Sequence, residues 1–303
     1  LQDHQKAKTI AHKNLELTKK IYDINNIKDK EHYLGAYYQL VMTYMMTGNS
    51  RELIFYFNQW KNVAVEIVNT PEGAHAIGTQ ASFFAPILIN LGLFNETEEL
   101  VTFVNKNINF GSSHFDKMQK SFFDYAAGKI SMMKKDYKKA VKYLEASSKL
   151  FLDNPNSDIA TAVSAQATMT LLEAYYLKGD MKNYNKHFSL LTGYKPDNYY
   201  FASEFSPQKN FFIPKGQILA AAYTVFDYNI NKGNKISIRD EKEIKALSKN
   251  IFKDFVPGEE SKIDILTNYV KLSSLLPSGD KMLSKIIPEI KKEYSDSIFS
   301  SNL

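Results

Sequence analysis

A chain of 303 residues with 44% hydrophobic and 23% charged side chains is ordinary folding material, and this composition is not that of an intrinsically disordered chain. It carries no cysteine, which removes disulfides, thiolate metal sites and cysteine nucleophiles. The net charge of +5 divides between 38 basic and 33 acidic residues, and only Arg51 and Arg239 are arginines, so a nucleic-acid reader would lack its usual bidentate donor.

From the start, Gln2 to Asp23 reads as one helix with Ala7, Ile10, Leu15, Leu17 and Ile21 on its apolar side. It has the look of the second helix of a hairpin, and the chain reads as part of a longer protein. Its opening residues are polar, unlike a signal peptide, although a cleaved leader would leave the same start. Helices are predicted next over 28–46 and 50–67, joined at Thr47-Gly48-Asn49. Tyr37, Leu40, Val41 and Tyr44 face one way in the first, and Leu53, Phe57, Trp60 and Val63 or Ala64 answer in the second. Thr70-Pro71-Glu72 starts another helix with proline in its first turn, where the missing N–H costs nothing. That helix runs to Leu91, with Pro86 predicted to kink it, and its partner covers 95–106. The apolar run from Ala81 to Phe94 is too short to cross a bilayer and contains Pro86, Asn90 and Gly92, so no membrane insertion is expected.

Helices over 115–134 and 137–152 follow, the first carrying Phe122, Phe123, Tyr125, Ala126, Ala127 and Ile130, the second Ala140, Val141 and Leu144. Another pair covers 158–177 and 181–191. The stretch 192–215 then breaks the pattern with Tyr194, Tyr199, Tyr200, Phe201, Phe205, Phe211 and Phe212 among three prolines. It reads either as a packed corner or as a ligand-facing lid. Helices resume over 216–231, 239–255, 259–276 and 280–296.

The turns keep time. Gly48, Gly92, Lys135 and Gly179 stand 44, 43 and 44 residues apart, and Gly233 and Gly279 follow after 54 and 46. A fixed period of this length is the mark of a stacked helical array. The prediction is a single all-α domain over 1–303, an α-solenoid of about six hairpins with a period of 43–46 residues. Regular repeats occupy 1–191, an aromatic insertion 192–215, and further repeats with a cap 216–303.

Around the third turn, Gly128, Asp136, Tyr137 and Ala140 resemble the tetratricopeptide repeat in type and spacing, while Gly48-Asn49, Gly92-Leu93-Phe94 and Gly179-Asp180 match its turn alone. The position of Ala140 is held elsewhere by Ala7, Leu53, Thr97 and Tyr184, and the period exceeds the family's usual one. Longer, divergent repeats of this kind are similar to sensor and scaffold domains of bacterial signalling proteins, including peptide-pheromone regulators, transcription regulators and sensor kinases. The resemblance implies a right-handed superhelix whose first helices line a concave groove for a peptide or protein segment.

Projected from the turn register, that groove takes in Tyr38, Met42, Met45, Asn90, Phe122, Tyr125, Lys129, Met169, Glu173, Tyr176, Tyr223, Asp227 and Asn231. Aromatic and methionine side chains give adaptable apolar contact, and asparagine can pair both donor and acceptor groups of a peptide backbone. No phosphate loop, zinc-binding His-Glu-x-x-His or nucleophile elbow occurs. The six histidines, His4, His12, His32, His75, His114 and His187, lack ligand spacing, so no metal, cofactor or catalytic residue is expected and the chain reads as a non-enzyme. Glu98-Glu99 and Glu259-Glu260 read as charges favoured at helix starts, and Lys134, Lys135, Lys138, Lys139 and Lys142 as a solvated face.

The reading that emerges is a peptide-binding sensor or scaffold module of a bacterial regulatory protein, with no direct nucleic-acid contact and with room for a homodimer. Cytoplasm and periplasm are both compatible with it. The alternative is a cell-envelope protein that binds a carbohydrate or small molecule through Tyr194, Tyr199, Tyr200 and Phe205, since aromatic rings stack on sugars.

Overall fold

A computed structural model of the chain describes residues 2–47, 50–153, 161–192, 215–236, 241–242, 262–279 and a few positions up to 288. Among these residues the chain is all-helical and no strand occurs. In order, the helices are α1 (Gln2–Ile21), α2 (Lys30–Thr47), α3 (Ser50–Ile67), α4 (Pro71–Asn90), α5 (Phe94–Asn107), α6 (His114–Met133), α7 (Tyr137–Asp153), α8 (Thr161–Lys178), α9 (Met181–Thr192), α10 (Lys215–Asn231) and α11 (Lys262–Ser274). The predicted Gly48 turn, the insertion with Tyr194, Tyr199, Tyr200 and Phe205, and all but residues 241–242 of the helix expected over 239–255 lie outside the described residues.

Local chemistry accounts for the ends of the helices. Pro71 opens α4, and Thr70 caps it by accepting the Gly73 N–H at 3.1 Å. Ser113 and Asp116 cap α6 reciprocally, each side chain accepting the other's backbone N–H at 3.1 Å. α4 runs on through Pro86, which is buried.

Four of the predicted turns recur with one geometry, and Gly279 does not share their positive φ. Gly92, Gly179 and Gly233 take positive φ values of 77°, 77° and 86°, and Lys135 takes 59° at the equivalent place. Around Lys135 its own N–H reaches the Met132 carbonyl and the Asp136 N–H the Ser131 carbonyl, both at 2.9 Å. Gly179 and Asp180 do the same with Tyr176 and Tyr175, as do Gly233 and Asn234 with Ile230 and Asn229. A left-handed residue thus closes the outgoing helix by satisfying its last carbonyls. Asp136 and Asp180 then cap the next helix at once, accepting the N–H groups of Lys139 and Asn183.

Contact divides the chain into two compact units, Leu1–Leu88 with Asn95–Lys120, and Ile89–Phe94 with Ser121–Leu303. In the first, α1 packs on α2 and α2 on α3. Phe57 stacks on Trp60 in its core and Phe84 meets both rings edge-on, while Trp60 Nε1 donates to Gln80 Oε1 at 2.6 Å. Lys30, itself buried, pairs with the exposed Glu66. α1 differs from the sequence expectation. Its buried side is Ala11, Leu15 and Thr18, whereas Ile10, Leu17 and Ile21 stand 65%, 55% and 66% exposed.

In the second unit α7 packs on α8, α8 on α9 and α10, and α10 on α11. Tyr125, Phe123, Leu144, Tyr184 and Phe188 are fully buried there. A Cβ on Gly128 would lie 2.6 Å from Leu144 Cγ, so this glycine is what lets α6 and α7 approach. Leu219, Ala222, Phe226, Ile265, Tyr269, Leu272 and Leu276 form a further cluster between α10 and α11. Lys134, Lys135, Lys138, Lys139 and Lys142 are all exposed, as a solvated face requires.

Candidate functional site

Five of the projected groove residues meet on neighbouring helices of the second unit. Tyr223, Asp227 and Asn231 follow one another at four-residue spacing, which sets them on one face of α10. Glu173 and Tyr176, three apart, share a face of α8. Tyr176 donates its hydroxyl hydrogen to Asp227 Oδ2, and Asn231 Nδ2 lies 3.3 Å from both Asp227 Oδ2 and Tyr176 Oη. Burial first, and then the bond to Asp227, holds the Tyr176 hydroxyl well above the ordinary tyrosine range. It is a committed donor at any physiological pH.

A second polar link runs from the same two helices to α11. Lys271 Nζ meets Glu173 Oε1 at 2.5 Å and lies 5.9 Å from the centre of the Tyr223 ring. Glu173 keeps only 9% of its side chain exposed and Lys271 35%, so the carboxylate is deep and the ammonium shallower. Burial opposes the Lys271 charge, but the Glu173 carboxylate and the hydrogen bond to it prevail and lift the ammonium above its usual value. Tyr223 is raised as well, by burial and then by the Asp227 charge, with Lys271 working the other way. The result is a half-buried face with two tyrosines, a carboxylate and an amide, whose outer end at Asn231 is exposed.

The register that singles out the other five residues passes over Lys271. A signal was present, because Lys271 is the one charged side chain between Ile265 and Leu276, as Glu173 is between Thr161 and Leu177. An isolated charge in an apolar helix needs a partner of opposite sign, and each of these supplies the other.

The remaining projected residues sit elsewhere. Met45, Phe122, Tyr125 and Met169 are core side chains. Tyr125 donates to Asn90 Oδ1 at 3.3 Å, and Asn90 and Lys129 are half-buried. In the first unit Tyr38 packs against Phe84 with ring centres 5.2 Å apart, and Met42 beside it is half-buried.

Among the described residues no group of three or more His, Cys, Asp or Glu could hold one metal ion, and no helix is long and apolar enough to cross a membrane. His187 is buried, donates from Nε2 to the Thr168 carbonyl at 3.1 Å and meets Tyr175 edge-on. Burial chiefly pushes its imidazole down to about 4. It is a neutral structural donor.

No protein-family model matches the chain, and no match is found among curated proteins or solved structures. The reading of this site therefore rests on its own chemistry.

Proposed function

We propose that the chain is a non-enzymatic module of stacked, tetratricopeptide-like hairpins, a solenoid, that binds an extended peptide or protein segment and serves as a sensor or scaffold in bacterial regulation. The observation that carries this reading is the Tyr176–Asp227–Asn231 triad beside Tyr223. An extended backbone offers N–H and C=O groups in alternation, and Asp227 accepts the one while the Asn231 amide meets the other. The flanking tyrosine rings give apolar area at little entropic cost, because each has only two side-chain torsions to fix. The internal bonds from Tyr176 hold Asp227 and Asn231 in place before a ligand arrives, which lowers the cost of binding. The recurrence of one left-handed turn at Gly92, Lys135, Gly179 and Gly233 supports the stacked arrangement.

The test is selection of a phage-displayed random peptide pool on the purified chain, with the selected peptide then titrated by calorimetry. Asn231→Ala and Asp227→Asn are each expected to weaken it by about tenfold, the worth of a hydrogen bond to a charged or well-placed group. Selection that yields no peptide, or peptides indifferent to both substitutions, would overturn the reading. Enrichment on a glycan array instead would transfer it to the carbohydrate alternative.

A further inference from the structure

The exposed side of α1 has a pattern of its own. Ala7, Ile10, Asn14, Leu17 and Ile21 follow one another at intervals of three, four, three and four residues, the spacing of a coiled-coil seam. Ala7, Ile10, Leu17 and Ile21 are all exposed, and Ile24 and Ile27 beyond the helix are exposed too. Asn14, in the middle of the seam, is half-buried and donates to Gln39 Oε1 at 2.8 Å. The adjoining side of the helix is already committed. Ala11, Leu15 and Thr18 are buried on that side, His12 Nε2 and Tyr44 Oη are hydrogen-bonded at 2.8 Å, and the Lys8 ammonium sits 5.3 Å from the centre of the Tyr44 ring. α1 therefore carries two apolar faces, one for its own bundle and one directed outward.

The charges beside the outward face say what it fits. Lys6, Lys13 and Lys20 recur every seven residues along one flank of the seam, and all three are exposed. In a coiled coil the flanking row sets partner choice and orientation. A second copy laid antiparallel would face this lysine row with its own. A second copy laid parallel would need its Ala11 and Thr18 row, which is buried. A bilayer is a poor match, because a strip of single residues at three-and-four spacing is narrower than the apolar half of an interfacial helix.

We propose that this face of α1 docks an amphipathic helix of a partner protein, with Leu or Ile at three-and-four spacing, a polar residue opposite Asn14, and Glu or Asp in the row that meets Lys6, Lys13 and Lys20. Asn14 then fixes the register, because only one alignment places a polar group against it.

The probes are two synthetic helical peptides of about three heptads with the same Leu/Ile seam and the same central Asn, one flanked by Glu and one by Lys. Fluorescence anisotropy with the whole chain is expected to show the Glu peptide binding about tenfold more tightly, through three attractive pairs exchanged for three repulsive ones. The triple variant Lys6→Glu, Lys13→Glu, Lys20→Glu should reverse that order. Leu17→Glu should abolish binding of either peptide, and Ile10→Gln, a milder change, should weaken it. All these positions are exposed, so the far-UV circular dichroism of each variant should match the parent.

Equal affinity for the two peptides, no binding of either, or an order that survives the charge reversal would overturn the proposal. So would a concentration-dependent dimer of the chain that Leu17→Glu dissolves, which would assign the face to a second copy. Binding to phosphatidylglycerol vesicles without discrimination between the peptides would assign it to a lipid surface and overturn the proposal equally.

Discussion

Gly128→Ala gives the sharpest check on the helix packing. The added methyl would lie 2.6 and 2.7 Å from Leu144 Cγ and Cδ2, roughly 1 Å inside ordinary contact, and Leu144 is fully buried. Overpacking of this kind costs about 1–3 kcal/mol. Alanine is also the better helix former by about 1 kcal/mol, which opposes the clash. Gly35 in α2 isolates the two effects, because a Cβ there meets nothing within 4 Å. Gly35→Ala should therefore stabilise by about 0.5–1 kcal/mol and Gly128→Ala should destabilise by about 1 kcal/mol. The gap between them, about 1–3 kcal/mol, is the clash with the propensity term cancelled. Urea unfolding followed by circular dichroism at a helical wavelength measures both. Leu144→Ala alone should cost about 2–5 kcal/mol, and combining it with Gly128→Ala should cost less than the sum, because the methyl then enters vacated space. If Gly128→Ala proves as stabilising as Gly35→Ala, the close approach of α6 and α7 at this residue is refuted.

Gly179 and Lys135 test the turns: Gly179→Ala, at a φ of 77° with open space around it, should cost about 1 kcal/mol from backbone strain alone, whereas Lys135→Gly should gain about 0.5 kcal/mol, both read from urea midpoints. Lys271→Leu should destabilise by about 2 kcal/mol, less than a sealed pair would lose because a third of the lysine side chain meets water, and Glu173→Leu added to it should restore most of the loss; a double variant no better than the single would remove the ion pair from the account. His187 gives a pH signature. Its proton is bound in the unfolded chain below 6.5 but in the folded one only below about 4, so stability is full above 6.5 and falls by about 3 kcal/mol as pH drops to about 4. The difference in stability between parent and His187→Gln should follow that curve, and a flat difference would contradict a buried neutral imidazole.

Local features were legible in the sequence because their causes are local. Pro71, the Asp136 and Asp180 caps and the left-handed residues at 92, 135, 179 and 233 act on neighbours a few residues away, so turn spacing alone located most helix ends to within three residues. The α10 face was legible for the same reason, since Tyr223, Asp227 and Asn231 share a side through helical geometry without reference to any other element. Lys271 was not, because its partner lies 98 residues away and only packing brings them together. α1 marks the opposite failure. Ala7, Ile10, Leu15, Leu17 and Ile21 form one broad apolar set in sequence, and nothing in their periodicity says that Leu15 goes to the bundle while the others face out. Met45, Phe122, Tyr125 and Met169 likewise share the projected register with surface positions, and burial alone separates them.

Trp60 is the only tryptophan in the chain, and it lies fully buried against Phe57 and Phe84 in the first unit. Its emission is therefore a private reporter of that unit, while tyrosine and backbone signals cover both. Substitutions at Gly128, Gly179 or Lys271 change side chains of the second unit only. If such a change moves the circular-dichroism midpoint and leaves the tryptophan midpoint in place, the two units melt separately; if both midpoints move together, they share one cooperative transition. One indole ring thus lets a single titration measure how far the two halves of the chain depend on each other.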